Sequence, residues 1–102
     1  MNDLEMITLH LPPALEDSCL ELLLEHAATR TFSSIPARGH GEATATLSLA
    51  EQVSGWRREV RIEVLVAADD RAALLTALRE GLPTEAVRYR VHPILEAGHL
   101  GR

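Results

Sequence analysis

Residues 57–67, RREVRIEVLVA, decide the fold class. Val60, Ile62, Val64 and Val66 alternate with Arg61, Glu63, Leu65 and Ala67. A period of two with β-branched residues on one side is the signature of a strand buried on one face. A second alternating run lies upstream in residues 4–11, LEMITLHL. There Ile7, Leu9 and Leu11 oppose Met6, Thr8 and His10. Downstream, residues 86–92, AVRYRVH, set Val87, Tyr89 and Val91 against Arg88, Arg90 and His92. A weaker run, residues 30–37, RTFSSIPA, contains Pro36. Proline cannot donate to a ladder, so this strand belongs at a sheet edge or ends there.

Helical patterns fill the gaps. From Ala14 to Ala27, Leu15, Cys19, Leu22 and Leu23 fall at i, i+4, i+7 and i+8. Glu16, Asp17 and Glu21 take the wet side, and the acids near the start favour the helix dipole. Pro12 and Pro13 suit the entry to that helix. A second helix is expected after Asp69 or Asp70 as cap, running to about Glu80 with Leu74, Leu75 and Leu78 inward. Gly81 stands where a left-handed C-cap is expected, with Pro83 as a stop. The tail from Pro93 to Arg102 is expected to add a short strand or to fray. The order β-α-β, long connection, β-α-β points to an α+β, ferredoxin-like βαββαβ sandwich. Its four-stranded antiparallel sheet has order 4-1-3-2 and forms one domain spanning 1–102. One face lies under two helices, while Thr8, His10, Arg61, Glu63, Leu65, Arg88, Arg90 and His92 occupy the other. Leu65 and Met6 on that second face favour oligomer packing.

Composition narrows the functional classes. The net charge is −5 and all ten basic residues are Arg, which argues against nonspecific nucleic-acid binding. Arginine suits bidentate recognition of carboxylate or phosphate. No apolar run approaches the ~20 residues of a membrane span, and the first residues lack a signal-peptide pattern, so neither membrane insertion nor export is expected. A cytoplasmic location follows. Cys19 is the only cysteine, which leaves no intrachain disulfide or CxxC motif; its place in the helix stripe makes it a core filler.

The connection 38–58, RGHGEATATLSLAEQVSGWRR, holds three of the six glycines and the only Trp. Connections of this length in a compact domain are usually functional or disordered. Within it, Glu51-Gln52-Val53 is expected to form a turn of helix, with Leu49 and Val53 packing down. Trp56 beside Arg57 and Arg58 is suited to stacking on a base or guanidinium, or to anchoring the loop base against a neighbouring subunit. His40 and Glu42, two residues apart, are candidate ligands for a divalent metal. His92 and His99, flanking a turn at Pro93, are candidates to complete such a site at a subunit boundary. His10 and His92 are not expected to share a site, because antiparallel pairing of the first and last strands separates them. No nucleophile elbow or framed acid pair is present, so an enzyme is not expected.

Ala37-Arg38-Gly39-His40-Gly41-Glu42, then AEQV at 50–53, REVRIEVLV at 58–66 and VRYRVHPILEAG at 87–98, together resemble the PII signalling proteins and their PII-like relatives. In those proteins a Gly-His-Thr-Glu stretch opens the flexible T-loop and a Lys-Ile-Glu-Ile-Val-Val strand follows it. The likeness spans nearly the whole chain and is greatest to a small PII-like branch that accompanies heavy-metal efflux systems. The resemblance implies a regulatory homotrimer with ligand sites in the clefts between subunits and a membrane transporter as partner. Ligand contacts are expected at Arg38, Gly39, His40, Gly41, Glu42, Trp56, Arg58 and Arg88. The departures are specific. Ser33-Ser34-Ile35-Pro36-Ala37 replaces a Gly-Phe-Gly-Arg-Gln turn, and Pro83-Thr84-Glu85 replaces a glycine-rich loop. Phosphate cradles need such glycines, so ATP is not an expected ligand. No loop tyrosine is present for covalent modification. The alternatives are a trimeric interaction module without a small ligand and a metal-binding protein like the CutA-type cation-tolerance proteins.

Overall fold

The computed structural model describes residues 3–41 and 48–101. Strand β1 (Leu4–Leu11) leads through a 3-10 turn (Pro13–Leu15) into helix α1 (Glu16–Glu25). Strand β2 (Thr31–Gly39) is followed by a short helix α2 (Leu49–Ser54), and strand β3 is Arg57–Ala67. A 3-10 turn (Ala68–Asp70) starts helix α3 (Arg71–Gly81), and another (Thr84–Ala86) precedes strand β4 (Arg88–Ile94). All strand pairs are antiparallel and the order is β2-β3-β1-β4. This is the ferredoxin-like sandwich expected from the alternation of the chain.

The core lies between the sheet and helices α1 and α3. Ile7, Leu9 and Leu11 of β1 meet Val60, Ile62, Val64 and Val66 of β3, and Cys19, Leu23, Leu74 and Leu78 close over them. With aromatics at 3%, branched aliphatics supply almost all of this volume. Removing one such side chain would cost ~2–5 kcal/mol in transfer and cavity terms. A two-oxygen pairing of Arg71 Nη1 with Glu5, at 2.8 and 2.9 Å, ties α3 to β1.

Several boundaries differ from expectation for identifiable reasons. The first turn of the α1 segment is 3-10, since Pro13 and Pro12 open it with no side-chain cap. Helix α1 ends at Glu25, where His26 Nδ1 accepts from the Ala28 N–H. Pro36 does not end β2: the strand is an edge of the sheet and pairs on to Gly39. Asp70 is the N-cap residue of α3, as expected, but it makes no side-chain capping hydrogen bond. Gly81 is the last residue of α3, and the C-cap is Leu82 in an extended conformation. A Cβ there would meet Leu22 Cδ1, so the glycine lets α3 pack closely on α1 without a shift of that side chain. Strand β4 starts two residues later than expected and runs through Pro93 to Ile94. Pro93 is therefore a strand residue opposite Glu5, tolerated because β4 is the other edge. Residues 95–101 add no strand.

Candidate functional site

With β2 running on to Gly39 and β3 starting at Arg57, the connection between strands spans residues 40–56. Its two ends are neighbours, since Gly39 pairs with Arg57 and Arg38 with Arg58. The returning limb is built by local rules. Ser48 Oγ accepts from the Glu51 N–H at 3.2 Å while Glu51 Oε1 accepts from the Ser48 N–H at 3.0 Å, a reciprocal capping box. Gly55 closes α2 in the left-handed region at φ 79 and donates to the Glu51 carbonyl at 2.8 Å. Glu51 Oε2 also accepts from the Arg58 N–H at 3.3 Å, so one carboxylate fastens α2 to the first residues of β3. The Ser48 N–H, aided by that of Arg58, holds the Glu51 carboxyl below its ordinary range against an opposing desolvation effect.

Trp56 lies at this junction. The Arg38 guanidinium stands 4.7 Å from the centre of its ring, within cation–π range. One cleft beside the ring is lined by Ser48, Ala50, Glu51 and Arg58. A second, wider one is bounded by Pro36, Arg38, Trp56 and Arg58, with Glu16 of α1 on its far wall. Leu49 and Val53 of α2 do not pack down as expected; they are 81% and 90% exposed. Six residues of helix capped at both ends need no apolar anchor to the sheet, and the two side chains face outward.

The other sheet face at the same end carries a network not foreseen from sequence. Glu59 is only 6% exposed. Its Oε2 accepts from His10 Nδ1 at 2.9 Å and its Oε1 from Arg88 Nη2 at 3.1 Å, with Arg57 Nε at 3.9 Å. His10 Nε2 lies 2.9 Å from Arg90 Nη2. A guanidinium can only donate, so Nε2 is the acceptor and Nδ1 carries the proton given to Glu59. Gly39 makes room, because a Cβ there would strike Glu59 Oε1 and lie 3.2 Å from Arg57 Cγ. The sequence signal was a glycine opposite Arg57, two positions from the acid Glu59 on the same face, which requires the register to be known.

A family model described as "Protein of unknown function (DUF3240)" matches residues 1–101. The chain belongs to the DUF3240 family. A crystal structure of a DUF3240 family protein from Shewanella baltica superposes with TM-score 0.79 and 25% identity, covering 98% of this chain and 99% of that one. A protein from Thermus thermophilus described as PII-like and signalling gives TM-score 0.64 and 21% identity over 91% of this chain and 88% of its own. Arabidopsis thaliana PII bound to citrate gives 0.73 and 14% over 99% and 83%. The PII-like fold is thereby shown for this DUF3240 chain. No curated protein sequence matches it significantly.

The expected ligand residues are partly gathered in this DUF3240 fold. Arg38, Trp56 and Arg58 meet at the loop base. Gly39 and Arg88 belong to the Glu59 network on the opposite face. His40 is exposed and Gly41 turns in the left-handed region at φ 85, while Glu42 lies outside the described residues. Among the described residues no three of His, Cys, Asp and Glu stand close enough to hold a metal. His92 faces Met6 and is four residues along β4 from Arg88, the partner of His10; His99 lies in the irregular tail. Within one chain these histidines are spread along the sheet, and the separation of His10 from His92 follows the expected pairing. Among the described residues no helix is long and apolar enough to cross a membrane.

Proposed function

We propose that this protein is a non-enzymatic, PII-like regulatory module, assembled as a homotrimer, whose loop 40–56 reports on a small effector held at the loop base. The observation that carries this reading is the meeting of Arg38 with Trp56 and Arg58, because those residues are the exit of β2 and the entry of β3. A ligand touching both sides bridges the two ends of the loop and gives the differential affinity that any ligand-driven shift requires. Two guanidiniums and an indole face favour a planar or carboxylate-bearing anion. A divalent metal would instead use His40 and Glu42, completed by His92 or His99 of a neighbouring subunit. The partner of the loop, such as a membrane transporter, would read its posture.

Titration calorimetry with zinc, ATP and citrate as a polycarboxylate probe tests the effector. Heat with citrate that is lost in Arg58→Ala supports an anion site, and heat with zinc that is lost in His40→Ala supports the metal form. Silence with all three removes the sensor. The exposed Leu49 and Val53 favour a second reading, a protein-interaction module without a ligand. Under it, Leu49→Ser with Val53→Ser abolishes capture of the partner while Arg38→Ala and Arg58→Ala leave it intact.

A further inference from the structure

At the corner between α3 and β4, away from the loop base, an apolar pocket of about 90 Å³ opens to solvent. Its walls include Leu75, Leu78 and Val87, and its polar lining comes from Arg79, Thr84 and Tyr89. Arg79 Nη2 donates to Tyr89 Oη at 3.3 Å and its guanidinium stands 5.8 Å from the centre of that ring. Among the described residues no carboxylate pairs with Arg79. A mainly aliphatic hollow beside a cation whose partners are neutral is complementary to an alkyl chain ending in a carboxylate. We propose that this pocket binds a short-chain aliphatic carboxylate, its tail among Leu75, Leu78 and Val87 and its carboxylate on Arg79.

Size and charge set the limits of the ligand. An apolar protein cavity of ~150 Å³ takes benzene, so about 90 Å³ suits a branched alkyl group of about four carbons. Tyr89 is 48% exposed and shares the pocket wall with the core residue Leu9. The carboxylate replaces a neutral hydroxyl as acceptor for Arg79, and a charge-assisted hydrogen bond is the stronger of the two. The site is independent of the loop-base reading and stands or falls without it.

The test is a methyl-resolved NMR titration of the full chain with 3-methylbutanoate, 3-methylbutan-1-ol and 3-methylbutylamine. Saturable shifts of the Leu75, Leu78 and Val87 methyls are expected with the acid. Arg79→Gln is expected to weaken the acid at least about tenfold, the worth of one charged hydrogen bond, and to leave the alcohol unchanged. Val87→Phe, which fills the pocket from its wall, is expected to abolish binding of the acid while Arg79 remains. Alcohol or amine binding as tightly as the acid, or shifts that never saturate, overturns the proposal. So does acid binding that Arg79→Gln leaves intact.

Discussion

Replacing Gly39 by Ala isolates the reason a glycine ends β2. Its φ is not in the left-handed region, since among the described residues only Gly41 and Gly55 are, so alanine fits the backbone. In a strand the exchange alone should stabilise by ~0.5–1 kcal/mol through the unfolded chain. Against this, the new Cβ meets Glu59 Oε1, a side-chain end that His10 and Arg88 hold in place. Overpacking of this kind costs ~1–3 kcal/mol, and losing a charged hydrogen bond costs ~1.5–3 kcal/mol before solvent compensates. Arg88 is 53% exposed and recovers water on release, so the lower part of that range applies. The net expectation is a loss of about 1–2 kcal/mol, or roughly 1 M in urea midpoint at a slope typical of small domains. In a Glu59→Ala background the main obstacle is gone and only the Arg57 side chain must give slightly, so Gly39→Ala should be near neutral or stabilising by up to ~1 kcal/mol. Urea melts of the four variants, at one protein concentration in case of assembly, measure the cycle. Additive effects, or a Gly39→Ala protein as stable as the parent, would refute the argument.

Burial and capping give three further expected outcomes. Burial raises the Cys19 thiol from 9.0 to about 11, so it should resist a disulfide reagent at neutral pH and react once urea unfolds the chain. The sign fits: its folded value is raised, so its stabilising contribution is full below pH 9.0 and lost as pH climbs toward about 11. Ser48→Ala removes the α2 cap and should cost that helix about 1 kcal/mol, seen as faster amide exchange at Glu51 and Gly55 with core amides unchanged. The lowered Glu51 carboxyl contributes above its ordinary range and is lost as pH falls through its folded value, so exchange at those amides should also quicken in acid. An acid-insensitive α2 would remove Glu51 as its fastener.

Alternation and helical spacing were enough to place β1 and β3 to the residue, because those two strands are central and each buries an unbroken apolar row, Ile7, Leu9 and Leu11 in one and Val60, Ile62, Val64 and Val66 in the other. The edges were harder. Pro36 read as an edge residue or a stop and Pro93 as a turn; each sits in an outer strand, where a missing N–H costs no ladder bond on the solvent side. Gly81 read as a cap because helix-end glycines usually are; only the proximity of α1 shows that Leu22 packs against it. The loop base was half legible. Trp56, Arg38 and Arg58 announced themselves by residue type, whereas Glu59 looked like any acid in an alternating strand. Its partners come from β1 and β4, forty-nine and twenty-nine residues away, and no local pattern encodes that convergence.

The distribution of charge separates an anionic effector from a metal. The chain is acidic overall, at −5, but the half of its sheet nearest the loop gathers Arg38, Arg57, Arg58, Arg61 and Arg88, with Arg90 reaching in to His10. Glu16, Glu51 and Glu59 only partly offset them. A divalent cation about 10 Å from one exposed guanidinium is repelled by ~1 kcal/mol in water, and an anion of the same charge is attracted equally. Summed over several arginines the difference decides affinity, and because these sites are wet it is screened within ~8–10 Å at ordinary salt. An anion at the loop base should therefore bind more weakly as sodium chloride rises from low to physiological strength. A metal at His40 should bind more tightly over the same range. Calorimetry of citrate and of zinc at two salt concentrations gives the sign directly. Citrate affinity indifferent to salt and to Arg58→Ala would show that the arginines at the loop base do not form its site.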